Sequence, residues 1–284
     1  MLSMRLERLA IVGVGLIGGS VGLAGKAREV ARRVIGVGRD EATVQRAKAF
    51  GAIDEGTTDL AIACREADFI VVATPVDRIS ADVLAAAAAA PSRSLITDVG
   101  STKGAIVDAL RGRMPPGGPA FIGSHPLAGS EQRGAAHARA DLFDGKLVIL
   151  TPEPGDDTEA TAAIELFWQS LGARTMRMDA REHDLVLAKT SHVPHAAASA
   201  VAAIAPSGWL SFAAGGFRDT TRIAAGDPEL WAAIFEANRD AVLSGTSELV
   251  DRLLEFQRRL EARDRAGVVH WLGEGKRIRD ALGS

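Results

Sequence analysis

Two polar clusters in this chain could carry out acid–base chemistry. One is Asp98-Val-Gly-Ser101-Thr102-Lys103, and the other is Gly123-Ser124-His125-Pro126. Each follows a short apolar segment typical of a β-strand, and ligands of open α/β sheets lie outside the carboxyl ends of the strands. Histidine is suited to accepting a hydroxyl proton at neutral pH, so His125, with Ser101 nearby, is the candidate base. A histidine after a strand can equally cap a helix or contact a loop.

Further candidates lie in the C-terminal part of the chain. Arg222, with Trp231 downstream, could hold an anion, because a guanidinium binds a carboxylate through two parallel N–H groups. The alternative is a packed, salt-bridged pair of helices. His192 and His195 are three residues apart and could share a helix face, but no third ligand has a fitting spacing. We therefore expect no metal site.

A glycine-rich loop near the N-terminus has the spacing of a dinucleotide site. It reads Gly13-Val14-Gly15-Leu16-Ile17-Gly18, follows the predicted strand Leu6 to Val12 and opens a predicted helix. Gly13 permits the tight turn, Gly15 lets the backbone approach a pyrophosphate, and Gly18 lets the helix pack on the strand. The helix N-terminus, including Leu16 and Ile17, then faces the phosphates. A glycine-rich turn without a ligand is the alternative.

The end of the second predicted strand, Arg33 to Val37, bears on the choice of cofactor. NAD enzymes usually carry an acid there, whereas this chain has Gly38 followed by Arg39 and Asp40. An arginine without the acid favours the 2′-phosphate of NADP, and Asp40 keeps NAD open. The segment Thr74-Pro75-Val76 ends a later apolar strand and is predicted to line the ribose and nicotinamide crevice. It could also be a simple strand-ending turn.

Strands that alternate with helices must position these residues. The apolar run Phe69 to Ala73 is typical of a parallel strand buried on both faces. Further strands are predicted at Ser94 to Asp98, Ala120 to Gly123, Lys146 to Leu150 and Arg174 to Met178. This pattern predicts a parallel, doubly wound sheet. After Asp179 the periodicity is helical, with helices at 182–205, 219–223, 228–261 and 262–282, so we predict domains at 1–179 and 180–284.

Composition narrows the class of protein. The 284 residues carry a net charge of −3, without the basic surplus that nucleic acids or anionic membranes attract. No apolar run is long enough to span a membrane, and the charged N-terminal segment is not typical of a signal peptide. The single cysteine, Cys64, fits a reducing compartment, so we expect a cytoplasmic protein. Tyrosine is absent, which excludes mechanisms that need a tyrosine acid.

Taken together, these motifs resemble the prephenate/arogenate dehydrogenases. The segments GSHPLAGSE, SHVPH and FRDTTRIA carry the resemblance, which covers nearly the whole chain in order. It implies an α/β Rossmann-type, doubly wound N-terminal domain followed by an all-α C-terminal dimerisation domain, and a homodimer. It also implies an NAD(P)-dependent oxidoreductase of tyrosine biosynthesis that oxidises and decarboxylates prephenate to 4-hydroxyphenylpyruvate, or arogenate to tyrosine.

The resemblance also assigns roles to residues. His125 would accept the proton of the ring 4-hydroxyl group, and Ser101 would hydrogen-bond the same hydroxyl and orient the histidine. Arg222 would bind a substrate carboxylate. His195 would help to place the substrate side chain, with Trp231 nearby, and Ser124 would belong to the substrate site.

Three alternatives stay open. A 3-hydroxyacid dehydrogenase shares the plan of the fold, but its lysine is followed four residues later by asparagine, whereas Lys189 is followed by Val193. A non-catalytic NADP-binding dimer would not need His125, Ser101 and Arg222 together. The third is arogenate in place of prephenate; His195 as a second cation, and no obvious acid nearby, favour prephenate.

Overall fold

A computed structural model describes residues 4–129, 132 and 134–283 of the chain. Ser130 and Glu131, which end the GSHPLAGSE segment, and the first three residues of the N-terminal segment lie outside this range. The described chain forms one sheet of eight strands in the order β3-β2-β1-β4-β5-β6-β7-β8. The strands are β1 (Leu6–Val12), β2 (Ala31–Val37), β3 (Glu55–Thr57), β4 (Phe69–Val72), β5 (Leu95–Asp98), β6 (Ala120–Pro126), β7 (Leu147–Thr151) and β8 (Arg174–Arg177).

Helices alternate with the strands up to β6 and again between β7 and β8. They are α1 (Leu16–Ala27), α2 (Glu41–Ala49), α3 (Leu60–Cys64), α4 (Val76–Ala89), α5 (Gly104–Leu110) and α6 (Thr158–Ser170). The α/β Rossmann-type fold is therefore confirmed. The short elements β3 and α3, together with α4 and α5, were not among the elements predicted from the pattern of apolar residues.

Both faces of the sheet are buried, which explains the uninterrupted apolar strands. In β1, Leu9 and Ile11 belong to one apolar cluster, while Ala10 and Val12 belong to another. Phe69 and Val71 of β4 point to the first cluster, and Ile70 and Val72 to the second. Successive side chains of a strand point to opposite faces, so helices must cover the sheet on both sides.

The sheet departs from the predicted parallel arrangement at one place. Strand β7 runs antiparallel to β6, with His125 opposite Ile149, and β7 and β8 are parallel to each other. Between β6 and β7 the described residues form only the short 3₁₀ turn Ala135–His137, without the crossover helix that a parallel neighbour requires. The chain therefore turns back, and β6 continues to Pro126, three residues beyond the predicted end.

Six α-helices follow the sheet in the part of the chain that the structure describes. They are α7 (Ala180–Leu187), α8 (Val193–Ala203), α9 (Gly215–Thr221), α10 (Pro228–Ala237), α11 (Arg239–Glu261) and α12 (Arg265–Ala281). Helix α7 passes into α8 through one π-helical turn, Ala188–His192. The helix predicted over 228–261 is two helices, because the chain breaks at Asn238, whose side chain donates a 2.8 Å hydrogen bond to the carbonyl of Asp184.

The chain forms two compact units, and the first runs to Asn238 while the second is Arg239–Ser284. The predicted boundary at 179 follows the last strand of the sheet instead, and it stays a prediction. In the second unit α11 and α12 pack together, with the indole of Trp271 donating to the carbonyl of Arg252 over 3.1 Å. None of the described helices is both long and apolar enough to cross a membrane.

Candidate active site

His125 lies within β6 rather than in a loop after it. Continuing the β5–β6 register, in which Thr97 pairs with Ile122, places His125 level with Gly100, just past the end of β5. Its side chain is buried, and its Nδ1 lies 2.9 Å from Nε2 of His183 on α7. The histidine therefore stands at the carboxyl edge of the parallel strands, as expected, but on a rigid strand.

His183 is in turn held by the residue that follows it. Its Nδ1 lies 2.8 Å from a carboxylate oxygen of Asp184. Asp184 also accepts hydrogen bonds of 2.8 Å from the backbone N–H groups of Lys103 and Gly104, at the start of α5. Asp179 caps α7 by accepting from the backbone N–H groups of Arg181 and Glu182 and makes no bond to the side chain of His183 or Asp184. The Asp184 end of this hydrogen-bonded series is therefore held by the backbone at the start of α5.

The surroundings keep His125 uncharged. Burial lowers the pKa of His125 well below its ordinary value, and the nearby His183, Lys103 and His192 lower it further. Lys103 is itself fully buried: it pairs with the carboxylate of Asp98 and donates to the carbonyl of Ser124 over 2.8 Å. A neutral imidazole can accept a proton, so the electrostatics suit a base.

The structure does not support the prediction that the side chain of Ser124 lines the substrate site. Its side chain is fully buried, its hydroxyl lies 2.6 Å from that of Thr97, and it accepts a 3.1 Å hydrogen bond from the indole of Trp168. Because neighbouring residues of a strand point to opposite faces, this hydroxyl faces away from His125. The Ser124 side chain therefore belongs to the core, and its backbone carbonyl serves Lys103.

Ser101 follows β5 in the loop that leads to α5, next to the residue level with His125. It is half-buried, and within the described residues no hydrogen bond joins it to His125. Its neighbour Thr102 is buried, and the Thr102 hydroxyl has no partner within the described chain. Ser101 is therefore close to His125 along the sheet edge without being paired to it.

His195 and Trp231 are in direct contact. Their rings stack, with centres 3.6 Å apart and planes 16° from parallel. His195 is 5% exposed, and its Nδ1 has no hydrogen-bond partner among the described residues. Burial lowers the pKa of His195, which disfavours the charged form of its ring. That His195 supplies a second cation stays a prediction, and the direction of this pKa shift counts against it.

His192 faces the interior one helical turn before His195. Its Nδ1 accepts a 3.1 Å hydrogen bond from the side-chain amide of Asn238. Burial is the main reason that the pKa of His192 falls to about 4. Among the described residues no cluster of three or more histidine, cysteine or acidic side chains could hold a metal ion.

Arg222 begins the 3₁₀ turn Arg222–Ala225, which packs against α8, the helix that carries His195. Its side chain is exposed, and it makes no hydrogen bond or ion pair with any other described residue. This arginine therefore does not brace neighbouring helices, and its two-pronged donor group is available to an anion.

The glycine-rich loop fits a dinucleotide. Gly13 has φ +98°, and a Cβ there would lie 2.6 Å from the carbonyl oxygen of Ala73. A Cβ on Gly18 would lie 2.0 Å from the carbonyl of Gly13, whereas one on Gly15 would meet nothing within 4 Å. No side chain caps α1 at Gly15, so the first backbone N–H groups of this helix are left for a pyrophosphate to bind. Leu16 and Ile17 are half-buried at this helix start.

The remaining predicted cofactor residues differ in what they can offer. Arg39 is 81% exposed at its side chain and pairs with Asp40 at 3.3 Å. Asp40 also caps α2 by accepting from Thr43, which is the main cause of the lowered pKa of Asp40. Thr74 donates to Asp82, leaving its backbone beside the Gly13 turn.

Pro75 and Val76 begin α4 and point in different directions. Pro75 is exposed, whereas the side chain of Val76 is 7% exposed and belongs to the core. The side chain of Val76 is therefore part of the core, and a contact between its backbone and the cofactor stays a prediction. The strand order changes direction between β1 and β4, so these loops flank the crevice where such sheets bind ligands.

A glycine-rich loop suited to a pyrophosphate and a buried, neutral histidine lie at the same edge of the sheet. This combination is typical of dinucleotide-dependent oxidoreductases. Residues 21–177 match the family model described as "Prephenate dehydrogenase, nucleotide-binding domain", and residues 179–274 match "Prephenate dehydrogenase, dimerization domain". The chain belongs to the prephenate dehydrogenase family, as its motifs predicted.

Relatives support this assignment over the whole chain. Prephenate dehydrogenase of Bacillus subtilis is 34% identical, over 97% of this chain and 76% of the relative. Cyclohexadienyl dehydrogenase of Zymomonas mobilis is also 34% identical, over 97% of this chain and 96% of the relative. The prediction of an oxidoreductase of this family is confirmed, and the 3-hydroxyacid dehydrogenase and non-catalytic alternatives are set aside.

Solved structures agree. Prephenate dehydrogenase of Aquifex aeolicus, in complex with hydroxyphenyl propionate and NAD+, is 29% identical with a TM-score of 0.89, over 99% of both chains. Synechocystis arogenate dehydrogenase is 27% identical with a TM-score of 0.81, over 97% of this chain and 99% of that chain. The expectations of a nicotinamide dinucleotide, a small-molecule substrate and a homodimer are confirmed at the level of the family.

The residues behind His125 have no predicted role from spacing. Lys103 belongs to the first polar cluster, Asn238 lies inside the helix predicted over 228–261, and His183 and Asp184 carry no prediction. The available signal was the pair His183-Asp184 at the start of a helix, because a buried histidine next to an acid is commonly held in one orientation by it.

Proposed function

We propose that the protein catalyses the oxidative decarboxylation of prephenate to 4-hydroxyphenylpyruvate, with hydride transfer to NADP+. The observation that carries this proposal is His125: a buried, neutral imidazole at the carboxyl edge of the sheet, held through Nδ1 so that Nε2 can face a substrate. Its family membership supplies the substrate class.

For this reaction the protein must align the substrate ring with the dinucleotide and supply one base. When bound, the dinucleotide supplies the hydride acceptor. A hydride leaves C4 of the substrate ring, the carboxylate at C1 leaves as CO2, and the electron pair of the broken C–C bond completes the aromatic ring. His125 takes up the 4-hydroxyl proton as the hydride departs and returns it to the phenolic oxygen. Substrate and product both carry this hydroxyl, so the proton balance closes.

Ser101 is proposed to hydrogen-bond the same hydroxyl. Its position in the loop level with His125 supports this role, since a hydroxyl can both donate and accept. Because the pKa of His125 lies well below its ordinary value, the rate should fall only when the pH drops well below 6.5.

The substrate is a dianion, and Arg222 is proposed to hold one of its carboxylates. Its exposure and its lack of a partner among the described residues support this. His195, stacked on Trp231, would donate to or accept from the substrate side chain through its unpaired Nδ1. An imidazole N–H can donate to the keto group of prephenate, while arogenate remains the alternative, because an imidazole nitrogen can also accept from an amine.

For the cofactor, the backbone of Gly13, Gly15 and Gly18 would hold the pyrophosphate. Arg39 is proposed to bind the 2′-phosphate of NADP+, and Asp40 is already engaged in capping α2 and pairing with Arg39. The backbone of Thr74, Pro75 and Val76 would border the ribose and nicotinamide.

The homodimer and the location complete the proposal. Helices α11 and α12 expose many apolar side chains, among them Leu243, Leu253 and Ile278, which a partner subunit would cover. We place the enzyme in the cytoplasm, because its one cysteine is a buried free thiol, as fits a reducing compartment.

One experiment tests the proposal as a whole. The purified protein is incubated with prephenate or arogenate, each with NAD+ or NADP+, and reduced dinucleotide and aromatic product are quantified together. The expected result is equimolar NADPH and 4-hydroxyphenylpyruvate, with the highest kcat/KM for prephenate with NADP+. Turnover of arogenate alone would replace the substrate, a strong preference for NAD+ would replace the cofactor, and no turnover would overturn the proposal.

A further inference from the structure

His125, His183 and Asp184 form a series of side chains joined by hydrogen bonds. A proton acceptor alone would not require the second and third residues of this series. Nδ1 of His125 lies 2.9 Å from Nε2 of His183, and Nδ1 of His183 lies 2.8 Å from the Asp184 carboxylate. The His183 side chain is fully buried. His125 and Asp184 are each 8% exposed, so water has little access to these hydrogen bonds.

The direction of each hydrogen bond in the series His125–His183–Asp184 follows from Asp184, the last residue of the series. The Asp184 carboxylate accepts from two backbone N–H groups, those of Lys103 and Gly104, so it stands as an acceptor toward His183. In its neutral form, His183 then carries its proton on Nδ1, which leaves Nε2 as an acceptor. The proton shared with His125 therefore sits on Nδ1 of His125.

We propose that Asp184 and His183 are positioning residues that fix the tautomer of His125, so that the lone pair on its Nε2 is the one presented to the substrate hydroxyl. This inference rests on the proposed function of His125 as the base. The opposite tautomer would carry a proton on Nε2 and could not accept another one there.

The same chain also balances the charge that forms during the reaction. Once His125 takes a proton it is a buried cation near His183 and His192 on the helical side, and near Lys103 beside the sheet. The ammonium group of Lys103 opposes that charge, whereas the carboxylate of Asp184, at the far end of the hydrogen-bonded series, favours it. Moving the shared proton from His125 to His183 places the positive charge beside the carboxylate.

The tautomer can be measured without turnover. In protein labelled with ¹⁵N at histidine side chains, the chemical shifts and couplings of each ring report which nitrogen carries the proton, and His125→Asn identifies the His125 signals. The expected result at neutral pH is a neutral His125 with its proton on Nδ1. A His125 ring protonated on Nε2 would overturn the proposal, whether or not the protein turns over prephenate.

Two variants of His183 supply the kinetic test. His183→Gln retains an acceptor near the position of Nε2, whereas His183→Phe fills similar space with none. We expect kcat to fall about a hundredfold in His183→Phe and about tenfold or less in His183→Gln, with KM for prephenate little changed in both. Equal losses in the two variants would contradict the proposal.

A control separates positioning from loss of stability. Asp179→Ala removes the cap of α7, the helix that carries His183 and Asp184, without touching their hydrogen bonds. It should lower the melting temperature and leave kcat near that of the wild type at a temperature where it is folded. If Asp179→Ala lost as much kcat as His183→Phe, the effect would be structural and the proposal would fail. A wild-type protein inactive toward both substrates would refute the proposed function instead.

Discussion

The rings of His125 and His183 meet edge to face, with centres 5.1 Å apart and planes at 66°. One ring belongs to a strand of the sheet and the other to the first helix after it, so this contact joins the two parts of the site. The match to the nucleotide-binding family model ends at residue 177, and the match to the dimerization-domain model begins at residue 179. His125 therefore lies in the first matched region and His183 in the second. The candidate base is thus supported by residues from beyond the nucleotide-binding region.

Replacing Arg222 by alanine should weaken substrate binding without harming the fold. Because the side chain is exposed and makes no hydrogen bond or ion pair with another described residue, the melting temperature should barely change. Loss of a charge-assisted pair should raise KM for prephenate by about tenfold or more, with KM for the dinucleotide unchanged. Arg218→Ala, an exposed arginine of the preceding helix, is the matched control. A lower melting temperature with ordinary KM would assign Arg222 a structural role.

Two glycines of the phosphate loop should respond differently to alanine. Gly13→Ala places a Cβ 2.6 Å from the carbonyl oxygen of Ala73 at φ +98°, so it should cost about 1–3 kcal/mol of unfolding free energy. Gly15→Ala meets nothing within 4 Å, so the melting temperature should hold while KM for the dinucleotide rises about tenfold. Thermal melts and dinucleotide titrations check both. Unchanged dinucleotide KM in Gly15→Ala would refute the predicted pyrophosphate site.

Arg39→Ala tests the preference for NADP+. Removing this exposed guanidinium should raise KM for NADP+ by about tenfold and leave KM for NAD+ nearly unchanged, because the 2′-phosphate alone distinguishes the two. Arg39 is a better position to vary than Gly38, where a Cβ would lie 2.8 Å from Val44. Equal effects on both dinucleotides would show that Arg39 does not read the 2′-phosphate.

Stability should depend on pH through His192. Its folded-state pKa is about 4, below the ordinary value of 6.5, so the unfolded chain binds a proton more readily. The unfolding free energy should therefore fall as the pH drops from about 6.5 to about 4, by at most about 3 kcal/mol from this residue. His192→Gln keeps an acceptor for Asn238 but cannot titrate, so its stability should fall less over this range. Urea unfolding at several pH values measures both slopes, and identical slopes would contradict the assignment.

The sequence predicted the parts of the molecule that depend on local pattern. The apolar runs of β1 and β4, the Gly13 turn and the fold class follow from residue type and spacing alone. The antiparallel β7 did not, because its direction depends on what lies in the connection from β6. Ser124 was misassigned because the extent of β6 decides which face each residue takes, and His183 and Asn238 gain partners only through long-range packing.

The most direct test of His125 as the base is single-turnover hydride transfer from prephenate, followed by dinucleotide absorbance, in the wild type and in His125→Asn. Asparagine can hydrogen-bond but cannot take a proton at neutral pH. The account predicts a rate lower by about 10²- to 10⁴-fold in the variant, with the dissociation constant for prephenate within about threefold of the wild type. A variant that transfers hydride at close to the wild-type rate would contradict it.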